Sequence, residues 1–336
     1  MNILITSVGR RSYMVEYFKD VLGSDGQVHV SNSTDITPAF NCADKSVATP
    51  LIYSKNYIPF LLNYCKENDI NLIISLFDVD LYILSLNKLK FQKIGVNVIV
   101  SDEEFIKICN DKWLTYHYLK DKNFDVPRTY LEVDLALNDI NNDIINYPVV
   151  IKPRWGMGSL SIYTADNEEE LIVLYKKIKN EIMQSYIKYE SKDNIDESVI
   201  IQEKICGQEY GLDVINDLNG EYVNTICKEK ISMRAGETDC AKIVDNKALF
   251  NIGTKLGKIT HHIANLDVDI IYNNKKFYIL EMNARFGGGY PFSHLAGVNL
   301  PKAIVDWSID KRVDKELLCY KQKITAHKDI SIKKLN

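Results

Sequence analysis

Residues 276–289 read Lys276-Phe-Tyr-Ile-Leu-Glu-Met-Asn-Ala-Arg-Phe-Gly-Gly-Gly289. The aromatic and branched residues at 277–280 predict a strand. A carboxylate, a carboxamide and a guanidinium follow at alternate positions, Glu281, Asn283 and Arg285. Alternate side chains of a strand share one face, with neighbours ~6–7 Å apart. The three glycines behind them remove side chains and let a ligand approach the backbone. Hard oxygen donors beside a fixed cation are the set that Mg²⁺ and a polyphosphate require together.

The preceding residues strengthen this. Leu266-Asp-Val-Asp-Ile-Ile-Tyr272 predicts a second strand, and Asn273-Asn-Lys-Lys276 the turn. With the loop at 274–276, Asp269 lies across from Glu281. Two facing carboxylates repel unless a cation sits between them. The bland alternative is a solvated, charged hairpin face.

Composition sets wider bounds. The 336 residues, 46% of them hydrophobic, suffice for about two domains with ample core. A net charge of −4 leaves no global basic field for nucleic acid. Basic residues after Ser308 (Lys311, Arg312, Lys315, Lys321, Lys323, Lys328, Lys333, Lys334) are interleaved with acids and predict a solvated face. Seven cysteines, at 42, 65, 109, 206, 227, 240 and 319, form no Cys-x-x-Cys pair, which fits reduced thiols rather than zinc or disulfides. No leader pattern opens the chain and no apolar run is long enough to cross a bilayer, so a cytoplasmic protein without membrane partners is expected.

The first hundred residues alternate strand and helix: strands at 2–6, 27–31 and 71–77, helices at 12–22 and 57–68. This rhythm predicts a parallel sheet with crossover helices. Ligands of such sheets sit at the carboxyl ends of the strands, which makes Gly9, Arg10, Asp35 and Asp78 candidates for a rim. Gly9 stands alone, so the three-glycine dinucleotide fingerprint is missing. Ser101-Asp-Glu-Glu104 predicts a helix start with Ser101 as N-cap.

Tyr147-Pro-Val-Val-Ile-Lys-Pro-Arg-Trp-Gly-Met-Gly-Ser159 predicts a strand at 149–151, a glycine loop, and a strand resuming at 161–164. It lacks the Gly-Lys-Ser/Thr ending and following helix of a P-loop. A glycine hairpin can instead fold over phosphates and donate backbone N–H groups, through Gly156, Gly158 and Ser159. Lys152 is placed for the α- and β-phosphates, and Arg154 for phosphate or substrate. In Cys227-Lys-Glu-Lys-Ile-Ser-Met-Arg-Ala-Gly-Glu-Thr-Asp239, Arg234 is the candidate for a transferred phosphoryl group, with Lys228 or Lys230 as helper. Glu237 lies on a loop expected to face the acceptor. His294 is a substrate candidate, although a lone His is commonly structural.

Leu280-Glu-Met-Asn-Ala-Arg-Phe-Gly-Gly-Gly289 resembles the metal-binding strand of the ATP-grasp ligases, closest in wording to the large chain of carbamoyl-phosphate synthetase and the stand-alone ligases like it. The resemblance runs from residue 1 to about residue 310, with its parts in the family's order. It implies an α/β ATP-grasp fold: a Rossmann-like pre-ATP-grasp domain (1–100), a lobe with the glycine loop (101–205), a lobe with the Mg/ATP site (206–310) and a tail (311–336). It implies ATP with Mg²⁺ or Mn²⁺ held by Asp269, Glu281 and Asn283, with Arg285 catalytic beside Arg234 and Lys230. Lys112 matches the family's phosphate-reaching lysine. Ser198–Asp213 resembles the adenine hinge, with Glu203, Lys204 and Ile205 at the base and Glu209 at the ribose.

The activity implied is amide formation between a small-molecule carboxylate and an amine through an acyl-phosphate, releasing ADP and phosphate. A homodimer is plausible on the resemblance alone. Two alternatives remain: carboxyphosphate chemistry on bicarbonate, and a non-catalytic ATP-binding module. The amidotransferase partner and second ATP-grasp half are missing from the sequence, so carbamoyl phosphate is not the expected product.

Overall fold

Three sheets organise the chain in the computed structural model, which describes residues 1–192, 194–330 and 332; Lys333 and Lys334 of the basic tail lie outside the described residues. The first sheet is parallel, in the order Lys45–Ala48, Gln27–Asn32, Asn2–Thr6, Ile70–Ser75, Asn97–Ile99. Ile3, Leu4 and Ile5 are all fully buried, as expected for a strand covered on both faces. Helix Ser12–Leu22 covers one side with a Met14, Val15, Phe18, Leu22 stripe at helical spacing.

Strand order reverses beside Asn2–Thr6, and a crevice opens there at the carboxyl ends. The turn 7–11 and the start of helix Asp78–Gln92 form its rim. Asp78 and Asp80 thus sit in the first turn of a helix, where acids complement the macrodipole, and not at a strand end. Asp80 is fully buried and accepts from Thr6 Oγ1 (2.5 Å), Ser75 Oγ (2.8 Å) and Tyr57 Oη (2.7 Å), tying the two strand ends together.

The second sheet is antiparallel, in the order Thr129–Tyr130, Val199–Glu203, Val149–Pro153, Tyr163–Ala165, and has its own core. Its last strand resumes at Tyr163 and not at residue 161, because Ser159 and Ser161 take left-handed φ values of 58° and 55° and extend the glycine loop. The helix expected after Ser101 runs Glu103–Asn110 with Asp102 as its cap, accepting from Phe105 N. Ser101 Oγ instead accepts from Ile263 N.

The third sheet has six antiparallel strands: Phe277–Asn283, Asn265–Tyr272, Gln208–Asn216, Tyr222–Arg234, Glu237–Val244 and Thr325–His327. The last comes from the tail. Asp269 does pair with Glu281, by an unexpected route. Tyr272 faces Phe277 across the turn, and a one-residue bulge at Leu280 then shifts the register. All seven cysteines are free. Among the described residues no helix is long and apolar enough to cross a membrane.

Candidate active site

The third sheet aligns charge in rows across its strands. Lys228, Gly211, Asp269 and Glu281 pair in sequence across four strands, and Asp213, Asp267 and Asn283 form the next row on the same face. Gly211 is the gap in this pattern. A Cβ there would stand 3.3 Å from Lys230 Cε and 3.6 Å from Lys228 Cε. Without one, Lys230 Nζ reaches across to Asp269 Oδ1 at 2.6 Å, and Lys228 donates to the buried Asp213.

This face floors a cleft of about 450 Å³ roofed by the glycine loop. Lys152, buried on the second sheet, donates to Gln202 Oε1 at 2.9 Å, and Gln202 in turn donates to Thr129 Oγ1. Burial, with Lys112 nearby, lowers the Lys152 ammonium to about 8. Lys112 Nζ donates to the Gly156 carbonyl at 2.6 Å, tethering the roof. Gly156 has φ +108°, and a Cβ there would meet Ile187 Cδ1 at 2.7 Å, so both backbone and space call for glycine. Glu203, Lys204, Ile205 and Glu209 line the same cleft, and Glu203 Oε2 accepts from Arg128 N at 3.1 Å.

Apolar side chains make the remaining walls: Val150, Leu160, Ile162, Met233, Ile271 and Leu280. Sequence reasoning missed these and Gln202. Ile271 was within reach, since it shares a face with Asp269 two residues away. Leu280 was not, because it joins Glu281 in the wall through the bulge.

Burial pushes the Glu281 carboxyl up, but Lys112, Lys152, Arg285 and Lys230 outweigh it and hold it below the usual range. Among the described residues, neither the Glu281 carboxylate nor the Asn283 carboxamide has a hydrogen-bonded partner. Asp269 spends one oxygen on Lys230. Two carboxylates and a carboxamide, with donor oxygens to spare, fit a divalent cation that completes its shell with water and phosphate oxygens.

Arg285 is the bolt of the site. Its guanidinium donates to Asp78 Oδ2 (3.0 and 3.1 Å) and to Asp267 Oδ2 (3.0 Å). Burial pushes Asp267 up to about 6 against the pull of Arg285. Two of the three glycines make room for acidic side chains of the protein. A Cβ on Gly287 would strike the Asp267 carboxylate at 2.1 Å, and one on Gly288 would crowd Glu237 at 3.1 Å. Gly288 and Gly289 also line a second compartment of about 250 Å³, shared with Arg11, Glu237, Asn283 and Arg285.

Beyond it lies an outer cleft of about 580 Å³, and three expected residues belong elsewhere than foreseen. Arg234 lines this outer cleft and not the roofed one, and pairs with Asp239 at 2.5 Å. Lys230 is the basic residue of that strand inside the roofed cleft. Arg154 turns away from the glycine loop to Asp111 (2.8 Å) and Glu197 (2.8 Å), lying over the Trp155 ring. His294 stacks on Tyr17 with centroids 3.7 Å apart, a packing role. Arg10 and Glu237 do line the outer cleft. Arg11, which the sequence reading passed over, donates to the carbonyls of Leu76 (2.9 Å) and Phe286 (3.1 Å).

Known proteins share this fold. Residues 3–99 match the family described as PylC-like, N-terminal domain, and residues 109–289 the ATP-grasp domain family. The carbamoyl phosphate synthase large chain of Pseudothermotoga lettingae is 21% identical over 239 residues, 68% of this chain but 20% of that protein's length. Among solved structures, the biotin carboxylase domain of Hydrogenobacter thermophilus 2-oxoglutarate carboxylase, a dimer with MgADP, ADP and bicarbonate, superposes with a TM-score of 0.73 at 16% identity, covering 96% of this chain and 71% of that one. N5-carboxyaminoimidazole synthetase from Staphylococcus aureus gives 0.68 at 17% identity, with 94% and 78% covered. With more than half of its residues inside the matched domain, the chain belongs to the ATP-grasp family.

Proposed function

We propose that the protein is an ATP-dependent carboxylate–amine ligase that works through an acyl-phosphate. The observation that carries this is the row of Asp269 and Glu281, which faces a glycine-roofed cleft with Lys112, Lys152 and Lys230 and also lines the adjoining compartment that holds Asn283 and Arg285. Lys152 and Lys112 meet the nucleotide phosphates, and the apolar walls take the base. Lys204 and Ile205 offer backbone groups to its edge, and Glu209 faces the ribose. A divalent cation held by Asp269, Glu281 and Asn283 would neutralise phosphate charge and hold the γ-phosphoryl group in line.

The carboxylate substrate attacks the γ-phosphorus, the bond to the ADP oxygen breaks, and ADP departs with that electron pair. Lys230 and Arg285 supply fixed positive charge where negative charge develops. An amine then attacks the acyl carbon; the C–N bond forms, the C–O bond to phosphate breaks, and the amine proton is released. No protein nucleophile is required, so positioning and electrostatics carry the rate. The 580 Å³ outer cleft suits an organic substrate far larger than bicarbonate.

Oxygen-18 placed in the substrate carboxylate tests this. The label must appear in released phosphate, because that oxygen attacks phosphorus and leaves with it. Label confined to the amide, with solvent oxygen in phosphate, rules the mechanism out. Transfer from labelled bicarbonate alone establishes carboxyphosphate chemistry instead.

A further inference from the structure

Lys152 enters the cleft from a buried row of polar side chains on the second sheet. Gln202 pairs with Val150 on one side and with Thr129 on the other, and Lys152 pairs with Ile200. Lys152 and Gln202 are therefore diagonal neighbours on one face, and Thr129 stands directly across from Gln202. All three side chains are buried. Lys152 and Gln202 line the roofed cleft, whereas Thr129 reaches it only through Gln202.

The hydrogen bonds of this row run in one direction. The Thr129 hydroxyl donates its single proton to the Pro127 carbonyl at 3.0 Å. Its oxygen can then only accept, and Gln202 Nε2 donates to it at 2.9 Å. That turns the carboxamide oxygen to the other side, where Oε1 accepts from Lys152 Nζ at 2.9 Å. The reversed carboxamide would set its NH₂ against the ammonium, two donors face to face. The short strand that carries Thr129 is clamped in turn: Glu203 N donates to Arg128 O at 2.8 Å, and Arg128 N to Glu203 Oε2 at 3.1 Å.

The partner given to Lys152 is neutral. Among the described residues Gln202 is its one hydrogen-bond partner, and Glu281 and Asp269 act on it only from a distance. An ammonium has three N–H donors, so two remain, with the full positive charge, for an incoming anion. Burial and nearby Lys112 lower the ammonium to about 8, as expected of a buried cation that lacks a paired carboxylate. A glutamate in place of Gln202 would supply that counter-charge and compete with phosphate for the same N–H groups.

We propose that Thr129 and Gln202 are positioning residues of the nucleotide site. Thr129 sets the direction of the Gln202 carboxamide, and Gln202 aims the Lys152 ammonium into the cleft without neutralising it, so that the nucleotide's phosphates provide the missing counter-charge. This rests on the nucleotide reading of the cleft given above and adds the residues that act through Lys152.

A double-mutant cycle on ADP affinity, measured by calorimetry, separates positioning from a merely structural role. ADP carries the α- and β-phosphates and undergoes no turnover. Lys152→Ala is the reference and should weaken ADP roughly tenfold or more, the scale of a hydrogen bond to a charged group. Gln202→Met and Thr129→Val keep the volume and lose the polar atoms. Each should weaken ADP roughly three- to tenfold in the native background, and less than about twofold when Lys152 is already alanine. Thr129→Ser, which keeps the hydroxyl, should bind ADP as wild type does, and Gln202→Glu should bind it more weakly than Gln202→Met. Circular dichroism checks that the variants fold, and Gln202→Met alone completes the cycle if Thr129→Val does not. Losses that persist undiminished beside Lys152→Ala, or wild-type affinity in Gln202→Met or Gln202→Glu, overturn the proposal. Wild-type affinity in Lys152→Ala itself overturns the nucleotide reading, and the proposal with it.

Discussion

Arg285 and Asp78 lie 3.0 Å apart although 207 positions separate them in the chain. The pair joins the strand that carries Glu281 and Asn283 to the helix start at the crevice of the parallel sheet. Both side chains are less than a tenth exposed. Two guanidinium groups therefore tie the halves of the active site together, Arg285 through Asp78 and Arg11 through the carbonyls of Leu76 and Phe286.

Removing Asp78 should loosen the whole molecule. Breaking a buried ion pair leaves an uncompensated charge and costs about 3–5 kcal/mol. Asp267 remains to hold Arg285, so Asp78→Ala should fall near the lower end of that range. A urea midpoint within error of wild type would show that the pair is incidental.

Gly211 makes a finer prediction. Its backbone is ordinary strand, so Gly211→Ala should fold normally. The new methyl lies 3.3 Å from Lys230 Cε, whose Nζ is committed to Asp269. Displacing that ammonium by a few tenths of an ångström should lower ATP turnover by roughly tenfold, in keeping with the sensitivity of aligned groups to small misplacement. Steady-state kinetics showing wild-type turnover would remove Lys230 from the phosphoryl site.

These two positions show what the sequence could and could not say. The facing of Asp269 and Glu281 was legible in outcome but not in register: a loop at 274–276 sets Asn273 opposite Phe277, whereas Tyr272 takes that place and the bulge at Leu280 restores the pair. The parallel sheet was legible from its βαβ rhythm. The Arg285–Asp78 bolt was not, since nothing local couples positions so far apart. Lys328 was misjudged for the same reason: one lysine among many becomes a cleft residue only when Thr325–His327 pairs with a distant edge strand. Arg154 misled in the opposite sense. Its place before the glycines suggested phosphate, but Asp111 and Glu197 claim it.

Nucleotide affinity should depend on pH through Lys152. Burial holds its ammonium at about 8 in the free protein, and phosphates favour the charged form. Below pH 8 the lysine is already protonated and affinity is flat. Above it, binding must take up a proton, so affinity falls by up to roughly one decade per pH unit. Calorimetry from pH 7 to 9.5 should show that bend in wild type and none in Lys152→Arg, whose guanidinium stays charged. A flat wild-type profile would place Lys152 away from the phosphates.

Glu281→Gln separates metal from nucleotide by the direction of two effects. The carboxylate faces Asp269 and is held ionised by four cations, so its charge works against a bare polyphosphate and in favour of a metal-bound one. Glutamine keeps the shape and removes the charge. In EDTA, the variant should bind ATP more tightly than wild type, because one negative charge has left the cleft. With Mg²⁺ present the order should reverse, with metal-dependent turnover falling roughly 10²-fold or more, beyond what loss of a supporting contact to a metal ligand costs. The fold should survive, since among the described residues no hydrogen bond depends on the Glu281 side chain. Binding curves that do not cross between EDTA and Mg²⁺ would mean that Glu281 is not a metal ligand, and the row it shares with Asp269 would then need another cation to explain it.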